Sequence, residues 1–334
     1  MSLWPVYTGS KEPHDGIAEL PPPPPWRAFD GAPTLQAPDE SADAAAVSPD
    51  RTHRAAAYRP TEETVQLVNA ALYLRRPLLV TGPPGTGKSS LAYAVARELR
   101  LGPVLRWNIT SRSTLHDGLY QYDPLSRLYA ARHGVPAGSG IEDHLRLGPL
   151  GTALLPYDRP RALLIDEIDK SDLDLPNDLL NVLEEGQYEI PELIRGARDT
   201  PVAEVMTDGS DRRVPVERGR VRCRAFPFVV LTSNGEREFP PAFLRRCVTL
   251  RLRQPDDVRL ADIVRAHFGE EPDAYAQTLI SRFLSRVGGG DLATDQLLNA
   301  IYLARSGHLD VGSLDELAER LMPYLGEAQH TDAF

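Results

Sequence analysis

The sequence predicts an α/β protein, a mainly parallel sheet between helices, followed by a small all-helical unit and preceded by a disordered Pro/Ala-rich arm. Three observations predict it. Short apolar runs at residues 77–81, 104–109, 161–165 and 228–231 alternate with helical patterns, as in buried parallel strands joined by helical crossovers. After Pro255 the strand signals stop, and residues 257 to about 325 read as helix broken at Gly288-Gly289-Gly290. Residues 1–57 hold an unbroken proline run, Pro21 to Pro25, and an Ala-, Asp-, Ser- and Pro-rich stretch at 37–50. Such composition buries too little apolar surface to offset chain entropy and favours polyproline II. The boundaries drawn are 1–57 for the arm, 58–255 for the α/β core and 256–334 for the helical unit and tail.

Within the arm, Trp4, Trp26 and Phe29 are isolated aromatics that mark a segment docking on its own domain or on a partner. Thr61 is suited to cap a helix, with Glu62 and Glu63 at the positive end of the helix dipole. Val65, Val68 and Leu72 then carry the helical period. The strand at 77–81 runs directly into Gly82. A helix follows at 90–99, with Leu91, Val95 and Leu99 every four residues. Residues 175–185 form another helix, its Pro176 tolerated in the first turn.

The chain has 334 residues, 42% hydrophobic and 25% charged, which is ordinary for a globular protein. No run approaches the roughly 18 apolar residues of a membrane helix, and the N-terminus lacks a secretory pattern. Cys223 and Cys247 are too few for a disulfide framework or a structural zinc site. A cytoplasmic protein without membrane insertion is expected. The net charge of −10 argues against general affinity for phosphate backbones. Arg212, Arg213, Arg218, Arg220, Arg222 and Arg224 nevertheless cluster, as a solvated basic hairpin or as a surface for nucleic acid or an acidic partner.

Gly82-Pro83-Pro84-Gly85-Thr86-Gly87-Lys88-Ser89 matches G-x-x-x-x-G-K-[ST] in full, between a strand and a helix that continues through Ser90. Such a loop turns backbone N–H groups onto phosphates at a helix N-terminus. Lys88 then reaches the β- and γ-phosphates of ATP and Ser89 ligates Mg²⁺. The apolar run 162–165 ends in Asp166 and Glu167, which places one carboxylate beside the metal and the other near an attacking water. The strand from Phe228 ends in the polar triplet Thr232-Ser233-Asn234, whose amide either holds that water or only closes a turn. Arg245 and Arg246 are surface charge in a monomer. In an oligomer one of them is a finger onto a neighbour's γ-phosphate.

In order and spacing these motifs resemble the AAA+ ATPases, and within them the MoxR-like branch, relatives of the McrB-type motors. Leu147-Gly148-Pro149-Leu150 and the stretch from Leu179 to Gln187 are similar to that branch's pattern, and the resemblance covers about residues 58 to 325. It implies that Gly82 to Ser90 bind nucleotide, that Ser89 and Asp166 hold Mg²⁺, and that Glu167 is the general base. It further implies Asn234 as sensor 1, Arg246 as a trans-acting finger with Arg245 as its competitor, and Asn108 as a restraint on Glu167. The helical unit becomes a lid, in which Gln296 stands where the family has a sensor 2 arginine, so that either another lid residue such as Arg305 serves or coupling between nucleotide and lid is weakened. The implied assembly is a homo-oligomeric ring, a hexamer, that remodels a protein client in a chaperone-like way, with a von Willebrand factor A-domain protein as candidate partner. The alternative is a nucleic-acid translocating motor of a McrB-like defence system. A small-molecule kinase would have no use for Asn234 and the arginine pair. The eight histidines show no metal spacing. Trp107, Tyr120 and Tyr122 either line a channel or pack, and Asp169 and Asp172 read as helix caps.

Overall fold

The computed structural model describes residues 6–10, 12–38, 48–132, 140–269, 274–287 and 293–306. Its strands are β1 (Leu78–Thr81), β2 (Leu105–Asn108), β3 (Tyr120–Tyr122), β4 (Leu145–Leu147), β5 (Ala162–Asp166), β6 (Gln187–Glu189), β7 (Val202–Met206), β8 (Arg213–Glu217), β9 (Arg220–Arg222), β10 (Phe228–Ser233) and β11 (Val248–Arg251). The helices are α1 (Pro49–Ala57), α2 (Glu62–Leu74), α3 (Lys88–Glu98), α4 (Leu115–Leu119), α5 (Pro124–Arg132), α6 (Pro149–Ala153), α7 (Leu175–Glu185), α8 (Pro191–Gly196), α9 (Pro241–Leu244), α10 (Asp257–Phe268), α11 (Ala274–Val287) and α12 (Thr294–Ser306).

The central sheet has the order β11-β1-β10-β5-β2, and every pairing in it is parallel. Its strands are short and apolar because both faces are covered. Leu79, Leu163, Ile165, Val229 and Leu231 enter one apolar cluster with α6 and α7. Leu78, Val80, Leu164, Val230 and Leu250 enter the other with α2 and α3. This is the period-two alternation of a strand, with each buried Leu or Val contributing about 2 kcal/mol. Because the strands run parallel, the C-terminal ends of β1, β5 and β10 meet at one edge, where loops carry polar groups. Thr61 caps α2 as expected, accepting the Thr64 N–H at 3.1 Å.

Beyond β11, helices α10, α11 and α12 bury Leu260, Val264, Leu279, Phe283, Leu297 and Ile301 in a separate apolar cluster. The expected helical stretch beyond residue 306 lies outside the described residues.

The arm is corrected. Where it is described, between residues 6 and 38, it packs on the core. Val6, Tyr7 and Ile17 are buried, and Tyr7 exchanges hydrogen bonds with Asn69, from its N–H to Oδ1 at 2.9 Å and to its carbonyl from Nδ2 at 2.7 Å. Glu98 Oε1 accepts the Thr8 and Gly9 N–H groups at 2.6 and 3.0 Å. The Arg27 guanidinium donates to the carbonyls of Arg75, Leu183 and Glu184, and Phe29 stacks on Phe226 at 5.5 Å. Local composition measures what a segment buries by itself, whereas here the core supplies the surface and a few anchors suffice. Trp26 is 76% exposed; Trp4 and residues 39–47 lie outside the described residues. The packed core also begins earlier than residue 58, since Ala55 of α1 joins the cluster around α3.

The basic segment is not a hairpin. β8 pairs with β7 and β9 with β6, and three of its arginines meet carboxylates: Arg213–Asp143 at 2.8 Å, Arg220–Glu189 at 3.0 Å and Arg222–Asp30 at 2.9 Å. Trp107 and Tyr120 are buried in the core, so their role is packing. Cys223 and Cys247 are unpaired and buried, and burial pushes both thiols up to about 12. Among the described residues no helix is long and apolar enough to cross a membrane.

Candidate functional site

At the sheet edge the chain leaves β1 through residues 82–87 and enters α3 at Lys88. Gly82 has φ +146°, and a Cβ there would lie 2.3 Å from the Leu252 carbonyl oxygen; Gly85 has φ +74°, and a Cβ there would lie 2.4 Å from the Thr294 backbone nitrogen. Only glycine fits either place, so the loop turns tightly between β11 and the start of α12. Lys88 is 8% exposed and its Nζ donates to the carbonyls of Gly82 and Pro83, both at 2.8 Å. The ammonium is thereby held over the loop at the N-terminus of α3, whose first N–H groups have no partner within the helix.

Asp166, at the end of β5, accepts hydrogen bonds from three elements. Ser89 Oγ and Thr232 Oγ1 each donate to Oδ1 at 2.7 Å, and the Arg106 guanidinium of β2 lies 2.8 Å from Oδ2. Burial pushes the Asp166 carboxyl up, but the two hydroxyls and the guanidinium outweigh it and hold the group below its ordinary value. The Thr232 hydroxyl also accepts the Glu167 N–H at 2.9 Å. Glu167 has φ 62° and ψ 49°, a left-handed conformation that costs a non-glycine residue about 1 kcal/mol. Its carboxylate pairs with Lys170 at 2.8 Å in an exposed setting, where such pairs are weak.

A cavity of about 590 Å³ joins these groups. Residues 84–90, Asp166, Glu167, Thr232 and Asn234 line it; Gly82 and Pro83 act from behind, through their carbonyls. Tyr58 and Arg59 close one side, and Arg259, Ile263, His267, Thr294 and Leu298 of the three-helix unit close another. The result is an anion-binding floor under a partly apolar roof, suited to a nucleotide. The adjacent Ser89 and Asp166 oxygens form a hard-oxygen pair that fits Mg²⁺.

Arg245 and Arg246 lie outside this chain's own cavity, where a residue acting only on a neighbour has no contact to make; Arg246 pairs with Glu184 and Arg245 is exposed. Among the described residues no hydrogen bond joins Asn108 to Glu167, whose partner is Lys170. Gln296 Oε1 accepts the Ala293 N–H at 3.0 Å, turned back on its own helix, and the Arg305 guanidinium lies 5.1 Å from the Phe268 ring centroid. Asp169 caps no helix. Its Oδ2 accepts the N–H of Asn234 at 2.9 Å, of Gly235 at 3.1 Å and of Glu236 at 3.2 Å.

Sequence reasoning missed Arg106, Thr232 as a bridge, and the roof residues. Thr232 was within reach, since it sits in the polar triplet ending an apolar strand. Nothing local marks Arg106, because its role depends on β2 lying beside β5.

Residues 77–247 match the family model described as AAA domain (dynein-related subfamily). No curated protein matches. Among solved structures, NtrX from Brucella abortus in complex with ADP is similar at 17% identity with a TM-score of 0.38, over 79% of this chain and 54% of that one. This chain therefore spans about half the length of that relative, and a likeness so low carries no argument.

Proposed function

The chain belongs to the AAA domain family, dynein-related subfamily, and we propose that it is a cytoplasmic ATPase of the MoxR-like branch that hydrolyses ATP in an oligomeric ring to remodel a protein client. The observation that carries the reading is the Asp166 carboxylate, held between Ser89 of the phosphate loop and Thr232 of β10 with Glu167 next to it at the cavity edge. In this reading 58–255 is the motor and 256–334 the lid and tail.

Lys88 and the loop N–H groups take the phosphates of ATP. Ser89 and Asp166 hold Mg²⁺, which when bound offsets charge on the phosphate oxygens. Glu167 accepts the proton of the attacking water, and Asn234 orients that water. The arginine on a neighbour's γ-phosphate is Arg246 or Arg245; Arg246 must exchange Glu184 for it. A ring of six and a von Willebrand factor A-domain partner belong to the proposal through the branch resemblance. A nucleic-acid motor draws less support, because Arg213, Arg220 and Arg222 already face carboxylates.

Mixing two inactive variants tests the reading. Arg246→Ala keeps its own pocket, and Lys88→Ala keeps its finger, so mixed interfaces regain hydrolysis that rises with protein concentration. A finger contributes on the order of 10³-fold to turnover, so rescue of a few per cent is measurable. Arg245→Ala is run in parallel. Full activity in both arginine variants would overturn the shared site, and steep salt-dependent oligonucleotide binding would favour the nucleic-acid motor.

A further inference from the structure

Asp169 is 5% exposed and takes no part in the phosphate chemistry above, yet it joins the two segments that would hold the attacking water. It lies in the 3₁₀ turn Ile168–Lys170, whose N-cap residue is Glu167. Its Oδ2 gathers the three consecutive N–H groups of Asn234, Gly235 and Glu236 at the end of β10. Its carbonyl accepts Arg237 Nη2 at 2.8 Å, and the same guanidinium nitrogen reaches the Ser171 carbonyl. In the opposite direction, Thr232 of β10 holds the Glu167 N–H. Ties therefore cross between the segments at Glu167 and Asp169 on one side and at Thr232, Asn234, Gly235, Glu236 and Arg237 on the other. A shift of either segment breaks hydrogen bonds to the other.

The arrangement is more than a turn needs. Oδ1 of Asp169 is buried with no hydrogen-bond partner among the described residues, a cost that an apolar side chain at this position would avoid. A carboxylate offers charge-assisted bonds to three amides at once, which fixes the start of the Asn234 loop more tightly than a neutral acceptor.

We propose that Asp169 is a positioning residue that sets the Asn234 amide against the Glu167 carboxylate, so that both address one water. The proposal rests on the ATPase reading, in which those two groups meet at the γ-phosphate. Misplacement by about 1 Å can cost two orders of magnitude in rate, whereas the phosphate contacts of Lys88 and the loop lie elsewhere. Asp169 thus acts on turnover and not on nucleotide affinity.

A double-mutant cycle in the full chain tests this, with kcat and KM for ATP measured beside ADP affinity and melting temperature. Asp169→Asn, which keeps the shape and one acceptor, is expected to lower kcat about tenfold or more with ADP affinity within about twofold. In the Asn234→Ala background the same change is expected to cost less than about twofold, because the group it positions is gone. Asp169→Glu, which keeps the charge but displaces it, is carried through the same cycle and stands in if the Asn protein does not fold. Losses that multiply in the double variants would overturn the proposal, as would unchanged kcat with a lowered melting temperature. An inactive wild type sinks the ATPase reading itself. An active wild type with multiplicative losses sinks only the role of Asp169.

Discussion

The sheet edge and the three-helix unit both line the cavity, but they are tied to it in different ways. At the sheet edge each chemical group is held from several elements: Asp166 by Ser89, Thr232 and Arg106, Lys88 by two carbonyls, and the Asn234 loop by Asp169. The three-helix unit closes over the same cavity largely through side-chain surface. Its described polar ties to the rest are few, such as Arg259 to the Arg59 carbonyl at 3.0 Å and His267 to His53 at 2.9 Å. The groups at the sheet edge sit on, or within one or two residues of, the ends of parallel strands, or in the phosphate loop and helix that follow β1. In the proposed reading the three-helix unit is the lid, and contacts of this kind can be exchanged as it opens.

If that contrast holds, the largest effects come from single atoms at the sheet edge. Glu167→Gln is expected to slow hydrolysis at least about a hundredfold while nucleotide affinity stays within about twofold, since only proton acceptance is lost. Turnover within a few-fold of wild type places the base elsewhere.

Next comes the support beneath that edge. Arg27→Ala leaves the Arg75, Leu183 and Glu184 carbonyls without their buried donor, which is expected to cost about 2 kcal/mol and several degrees of melting temperature. An unchanged melting temperature means the N-terminal segment is not part of the frame.

A smaller effect is expected where the two regions touch. Gly85→Val combines φ +74° with a Cβ 2.4 Å from the Thr294 backbone nitrogen, and strain of this kind costs about 1–3 kcal/mol. Calorimetry should show nucleotide affinity falling roughly tenfold. Unaltered affinity would separate α12 from the loop.

The smallest is a pH effect at the α1–α10 contact. Burial, then His53, then Arg59, push the His267 imidazole from 6.5 down to about 4. The unfolded chain takes up that proton near pH 6.5 and the folded chain only near pH 4. Between these values the unfolded state binds more protons, so stability falls as pH drops, with nothing lost above pH 6.5. Melting curves of His267→Gln should show a shallower slope than wild type in that window. Equal slopes would rule out this contact as the source.

Much of the candidate site could be read from residue order alone, and the reason is local. A phosphate loop is contiguous, so Gly82 to Ser89 declare their geometry by spacing, and a buried strand ending in Asp166-Glu167 does so by its abrupt change in polarity. The Arg245-Arg246 pair was equally visible, but the pairing of Arg246 with Glu184 was not, because that depends on how α9 packs against α7. The arm misled for the opposite reason, since its anchors Tyr7, Arg27 and Phe29 are few and their partners lie far along the chain.

By itself the sequence determined the alternation of strands and helices, the loop that can wrap phosphates, and the carboxylates and amide that end β5 and β10. Each follows from the chemistry of neighbouring residues and from the two periods, 2 and 3.6, that distinguish a strand from a helix. Only the tertiary structure decided that β2 brings Arg106 onto Asp166, that Asp169 gathers three amides from a strand end more than sixty residues away, and that Thr294 closes on Gly85. Those contacts join residues whose separation along the chain carries no signal; the first two exist because parallel packing sets distant strands side by side with their C-terminal ends at one edge, and the third because the three-helix unit folds back over the phosphate loop.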